Sequence, residues 1–354
     1  MAVYKIFPVA DATIYSQYPY KNTGRDEVVE VTVTQSLITN QDVRRALIKF
    51  SDQDLAILKT YTTGSWQANL NLSLAFAQNL NTDYTLQIYP ISQSWEMGTG
   101  RFGDVPQVTN GASWVYTGEY QNSPTWSATQ YYNVTGGGSW NASYLVTQSF
   151  NYLSNKDINA NVTPIVNAWF SSSISNYGFI VKHPQAIEQS TGSIKELKYF
   201  SVDTHTIYPP VLEIKWNDTI YSPNTGSIGT ITNDQFSINI TNNAGSFDKD
   251  SVYKFRLGVR DTYPARIFTT ASLYTTNKYL PSNSQWAIQD YKTKEMIVDF
   301  DSTYTNISAD STSNYFTVYM KGLEVERYYR ILIRTNISGE IVVKDSDMIF
   351  KVIS

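Results

Sequence analysis

Apolar and polar residues alternate with a period of two along most of the chain, the spacing of strands that bury one face. In LNLSLAF, Leu70, Leu72, Leu74 and Phe76 fall on one side, and Asn71, Ser73 and Ala75 on the other. RALIKF sets Ala46, Ile48 and Phe50 on one face and turns Arg45 and Lys49 to water. Leu86 and Ile88 repeat the pattern in YTLQIYP. Two segments shift to helical spacing. FSDQDLAILK opens on Ser51 as a cap with Asp54 three residues on, an acidic relative of the capping box. NVTPIVNAWF offers Thr163 as a cap and Pro164 at the first helical position, with Ile165, Ala168 and Trp169 on one side.

PVLEIKW, with Leu212, Ile214 and Trp216 on one face, closes this first block. A linker-like run, SPNTGSIGTITN, follows it. Alternation then resumes: Phe236, Ile238 and Ile240 in FSINIT, Tyr253, Phe255, Leu257 and Val259 in YKFRLGVR, Tyr329, Ile331 and Ile333 in YYRILIR. IVVKDSDMIFKVIS reads as two strands around a turn at Asp345 and Ser346. About seven such strands in this length suit an immunoglobulin-like sandwich. The pattern therefore predicts an all-β chain with two unlike domains, 1–217 and 218–354; seven of the eight Trp lie at or before Trp216.

Composition sharpens this picture by exclusion. The 27 Tyr favour strands. A net charge of −4 with no basic tract gives a nucleic-acid partner no electrostatic support. With no Cys, disulfides, thiolate metal sites and cysteine nucleophiles are ruled out. The opening MAVYKIFPVADATIYS lacks the pattern of a signal peptide, and no run has the length of a transmembrane helix, so no membrane partner is expected.

Little in the chain points to catalysis. His183 and His205 are expected at the surface in loops, and no nucleophile motif lies near either. GGGSW (Gly136–Trp140) lacks the Lys and helix of a phosphate loop and reads as a flexible tip. The carboxylates of DFDSTYTNISADS and FDKDS lack calcium-loop spacing and read as solvated turns. Arg44 and Arg45 point to opposite faces of a strand, where one of them reaches an acidic group at the strand edge or a neighbouring subunit, or the pair forms a solvated edge that discourages unwanted pairing. The expectation is a protein that is not an enzyme, with no cofactor and no metal.

The richest segment is SQSWEMGTGRFGDVPQVTNGASW, which sets Trp95 and Trp114 at the ends of a Gly- and Asn-rich loop. One reading makes Trp95 and Trp114 anchors that pin the loop over the sandwich. The other makes Trp114, Tyr116, Trp126 and Trp140 a platform for sugar rings, with Arg101 and Asp104 as polar partners.

DATIYS, the Asn22–Gly24 turn, RRALIKF, IYPISQSW with GTG, TNGASW, NVTPIVNAW, NYGFIVK and PVLEIKW occur in that order. Together they resemble the DNRLRE-type jelly-roll β-sandwich, a module related to carbohydrate-binding modules, over roughly residues 5–217. The resemblance implies a jelly roll and a host-surface glycan as ligand. VRDTYPARIFTTASLYTTNKYLPSNSQWAIQDYKTKEMIVDF and YFTVYMKGLEVERYYRILIRT resemble the C-terminal part of tailed-bacteriophage structural proteins, over roughly residues 220–354. That resemblance implies a virion component made in the host cytoplasm. It would sit at the neck, collar, tail or head surface, form homo-oligomers, and contact portal, neck, tail or capsid proteins.

Overall fold

The computed structural model describes residues 2–35, 41–62, 64–127, 136–190, 195–223, 228–263 and 277–354. The middle of the linker-like run and residues 264–276 of the phage-like stretch lie outside them. The chain is all-β. Its strands are β1 (Ala2–Ile6), β2 (Pro8–Tyr15), β3 (Val28–Gln35), β4 (Gln41–Phe50), β5 (Trp66–Leu72), β6 (Leu74–Gln78) and β7 (Tyr84–Pro90). β8 (Val146–Phe150), β9 (Ile158–Asn161), β10 (Phe179–Lys182), β11 (Lys195–Phe200) and β12 (Val211–Trp216) follow. Then come β13 (Phe236–Ile240), β14 (Ser246–Asp248), β15 (Val252–Asp261), β16 (Gln285–Asp290) and β17 (Met296–Val298). β18 (Ser308–Ala309), β19 (Asn314–Tyr319), β20 (Tyr328–Ile337) and β21 (Glu340–Ile353) complete the set. Short helices are α1 (Asp52–Tyr61), α2 (Thr163–Phe170) and α3 (Gln185–Glu188). Ile6–Tyr61 and Gln67–Glu213 form one compact unit; Met1–Lys5, Thr62–Trp66 and Ile214–Ser354 form the other.

In the N-terminal unit the large sheet runs β6-β11-β3-β4-β10-β7-β8, with β2 also paired to β4. β4 is its spine: it pairs with β2 along 44–50, with β10 along 46–48 and with β3 along 41–44. Both of its faces are covered. Phe50 meets Phe179, and Trp169 of α2 packs on Phe179 at 4.7 Å. On the opposite face Val43, Leu47, Ile14 and Ile180 share a core cluster with Trp95, Trp114 and Trp126. The long loop after β7 is thus a third layer.

Two local expectations need correction here. The LNLSLAF alternation breaks at Ser73: Leu70 and Leu72 are buried on β5, whereas β6 joins the large sheet and leaves Phe76 exposed. The Asp157 carboxylate accepts the Leu74 N–H where the strand changes sheets. Ser51 caps α1 as expected, its hydroxyl accepting the Asp54 N–H at 3.3 Å. Thr163 does not cap α2. Val162 holds the cap position, and the Thr163 hydroxyl accepts the Ala68 N–H at 2.9 Å, tying the helix start to β5.

The C-terminal unit is a sandwich of two sheets, β13-β15-β19-β18 and β14-β21-β20-β16-β17. β14 pairs with β21 in parallel. In immunoglobulin lettering these sheets are A-B-E-D and A′-G-F-C-C′. Its other signatures are present without a disulfide. Trp286, on the C strand, is buried and stacks on Phe316 at 5.1 Å. Tyr329, at the start of the F strand, donates its hydroxyl to the Glu324 carbonyl at 3.0 Å, as a tyrosine corner does. Two residues on, Ile331 stands in the core where an immunoglobulin domain carries its second Cys. The expected turn at Asp345 and Ser346 is absent. β21 is one strand, and its register against β20 jumps from Arg330↔Ile349 to Leu332↔Asp345, so a bulge takes up the extra residues.

Candidate functional site

The covering loop is built on one amide. Asn22 is buried, and its Nδ2 donates to the carbonyls of Met97 (2.7 Å) and Ala112 (3.0 Å). Its Oδ1 accepts the N–H of Gly100 at 2.8 Å and of Gly24 at 3.3 Å. The side chain has room because Gly98 and Gly111 lie against it; a Cβ on Gly98 would sit 2.4 Å from Oδ1. The Asn22–Gly24 turn, GTG and TNGASW, separate in sequence, meet at this point.

The tryptophans divide between roles. Trp95 is buried and its indole N–H donates to the Tyr177 carbonyl at 2.7 Å. Trp114 is fully buried, and Trp126 is buried with its N–H on the Ser113 carbonyl at 2.8 Å. Trp95 and Trp114 therefore sit as loop anchors. Trp114 and Trp126 cannot stack a sugar, because neither offers a ring face to solvent. Trp140 and Tyr116 are half-buried. Arg101 and Asp104 close a local turn, the Asp104 carboxylate accepting the Arg101 N–H at 2.7 Å.

Beneath the loop lies a buried group of charges that strand alternation misplaces. Arg45 does not face water. It makes two bonds to the Glu188 carboxylate, at 3.1 and 2.8 Å, and donates to the Gly137 carbonyl. Its guanidinium lies 4.9 Å from the Trp114 ring and 5.3 Å from Trp140. Lys182 reaches Glu188 at 3.3 Å and donates to the His183 carbonyl at 2.7 Å. Burial alone would lift the Glu188 carboxyl, but Arg45 and Lys182 outweigh it and hold the group below its ordinary value. Burial lowers Lys182 to about 8 against the pull of Glu188. Arg44, on the other face, pairs with Glu30 and Asp42, so β4 is not a solvated edge.

GGGSW is not a flexible tip. Gly136, Gly137 and Gly138 are buried at positive φ, and a Cβ on Gly136 would lie 2.0 Å from the Trp114 carbonyl oxygen. His183 is buried rather than at the surface, and burial lowers it to about 4. Of the backbone groups around its ring, the Val31 main chain is the one that favours its charged form, too weakly to offset burial. His205 is exposed, near Glu27 at 3.6 Å.

The surface beside the loop carries rings that the sequence reading passed over. In QYPYK (Gln17–Lys21), Tyr18 and Tyr20 are each 41% exposed, and Phe102 of the loop is 37% exposed. Tyr18 meets Phe102 edge-on at 5.3 Å, with the buried Tyr15 behind both. The Lys21 ammonium lies 4.9 and 4.5 Å from the Tyr18 and Phe102 rings and donates to the Phe102 carbonyl at 2.7 Å. Tyr20 packs with Tyr120 at 4.9 Å and Tyr116 at 6.1 Å. Pro19, between the two groups, accepts the Val115 N–H.

Elsewhere in the unit, a cleft of ≈ 340 Å³ lies between α1 and the end of α2, lined by Leu55, Lys59, Trp169, Phe170 and Ile174 among others. In the C-terminal unit the acidic turns are tied locally: Asp310 bonds Arg256, and Asp301 accepts the N–H groups of Thr303 and Tyr304. Among the described residues no group of three potential ligands is placed to hold a metal ion. No protein-family model matches the chain, and no curated protein matches it.

Proposed function

We propose that this protein is a structural component of a tailed-bacteriophage virion, acting at the neck, collar, tail or head surface through contacts made by its two β-sandwiches. The observation that carries this reading is the second unit. The described residues of the stretches that resemble phage structural proteins belong to an immunoglobulin-like sandwich, a fold suited to presenting surfaces. Its hydrophobic core cluster is apolar and aromatic, and its Arg256–Asp310 pair keeps contact with water. In this role the chain acts as symmetric copies beside other virion proteins, where small contacts multiply. Mass spectrometry of purified particles is the test: peptides of this chain at constant stoichiometry are expected, and their absence overturns the reading.

A second reading gives the N-terminal unit a host-surface glycan as ligand. The solvent-facing Tyr18, Tyr20 and Phe102 favour it, since exposed rings beside a pinned loop are a common means of holding sugars.

A further inference from the structure

We propose that Tyr18, Tyr20 and Phe102, backed by Tyr116 and Tyr120, form the stacking surface for a neutral polysaccharide. The proposal rests on the glycan reading above and moves its site from Trp114 and Trp126 to these rings.

Three points carry it. First, accessibility: these rings keep a third or more of their surface in water, whereas the loop tryptophans are anchors. Second, preorganisation: each exposed ring is edge-packed on another, and the backbone beneath is held by Asn22 and by the Pro19 carbonyl. A ring already fixed loses little freedom on binding, which is how tyrosine-rich surfaces gain affinity. Third, chemistry: the rings alternate with hydroxyl and amide groups. Tyr120 accepts from Gln121 at 3.0 Å, and Asn122 donates to Glu119 at 2.9 Å. A pyranose shows the same alternation, with C–H faces set between hydroxyls.

Charge argues for a neutral chain. Lys21 is already engaged by two rings and a carbonyl. Beside the rings the carboxylates of Asp26, Asp104 and Glu119, which accept from the Phe102 N–H, the Arg101 N–H and Asn122, outnumber the cations Lys21 and Arg101, a balance that gives a polyuronate no net attraction.

The test is affinity electrophoresis of the full chain in gels containing laminarin, galactomannan, xylan or alginate. Retardation by at least one neutral polysaccharide is expected. Tyr20→Ala and Tyr18→Ala should each weaken it by about tenfold, while Tyr20→Phe keeps it within about threefold, because the ring and not the hydroxyl does the stacking. Both tyrosines are half in water, so thermal midpoints verify that the variants stay folded. Unchanged retardation of both Ala variants would overturn the platform and leave the glycan reading standing. Retardation by alginate alone would overturn the neutral ligand. Retardation by no polysaccharide would overturn the glycan reading itself.

Discussion

The two units solve the same problem, a cysteine-free sandwich, in opposite ways. The C-terminal unit keeps a core of apolar and aromatic side chains; its Arg256–Asp310 pair is half-exposed, and its buried Asp290 is met by an Arg327 that keeps contact with water. The N-terminal unit buries Arg45, Lys182, Glu188, His183 and Asp11. The difference follows from layers. A strand with one wet face can put its charges there. β4 has no wet face, because the Asn22-pinned loop covers it, and the charges on that side must find partners inside. Ionic groups in the first unit are therefore joints sealed between segments, whereas in the second the arginine of each of these pairs keeps contact with water.

The sharpest way to break this contrast is at Glu188. Glu188→Ala leaves Arg45 and Lys182 buried without their carboxylate and should cost about 3–5 kcal/mol. Asp310→Ala, at a half-exposed pair, should cost about 1 kcal/mol or less. Guanidinium unfolding of the full chain measures both, and equal losses would erase the distinction. Asn22→Ala removes four hydrogen bonds from a buried amide and should cost about 2–4 kcal/mol. Limited proteolysis should then cut within 97–112, whereas the parent chain should resist cleavage there.

Titration of the first unit is governed by burial, whereas Asp310 in the second is governed by its ion pair. Burial lifts Asp11 to about 7 despite the Val202 N–H it accepts, with Asp203 and Asp26 adding to the lift. A raised carboxyl contributes stability that is full below its unfolded value near 3.8 and is lost as pH rises through about 7. His183, lowered by burial from 6.5 to about 4, works the other way: its contribution is present above 6.5 and lost as pH falls through 4. The two oppose each other between about pH 4 and 6.5, and Asp11 acts alone just above. Asp310, held low first by its Arg256 bond, contributes above its ordinary value and loses that contribution only in strong acid. Asp11→Asn should therefore raise the thermal midpoint by several degrees at pH 8 and by much less at pH 4.5. Equal shifts at both would show that Asp11 does not titrate in this range.

The smallest effect belongs to the tyrosine corner. Tyr329→Phe deletes one hydroxyl bond to the Glu324 carbonyl and should cost about 1 kcal/mol. A change below about 0.3 kcal/mol would leave the corner with the ring alone.

What could be read from the sequence was local. Period two found the strands around Leu86, Phe255 and Ile331, and Ser51 announced α1, because a strand face or a cap is settled by neighbours a few residues away. The misreadings concern partners that the neighbouring residues do not reveal. Nothing near Arg45 reveals Glu188, 143 residues on, and so alternation turned Arg45 to water. Gly136–Gly138 resemble a loop tip until Trp114 is laid against them. The continuity of β21 depends on β20 continuing to pair across a bulge that looks like a turn. For the proposed stacking surface, the sequence points to tryptophans, the largest rings, and for that reason Trp114 and Trp126 are drawn into the core. The smaller Tyr18 and Tyr20 stayed outside.

The spine strand has a consequence for how the first unit breathes. Residues 46–48 of β4 are paired along both edges and roofed on both faces, so their amide hydrogens can trade with solvent only after neighbouring segments lift away. The roof is the outermost of those segments and should peel first, leaving 46–48 among the last protons of the unit to be replaced by deuterium.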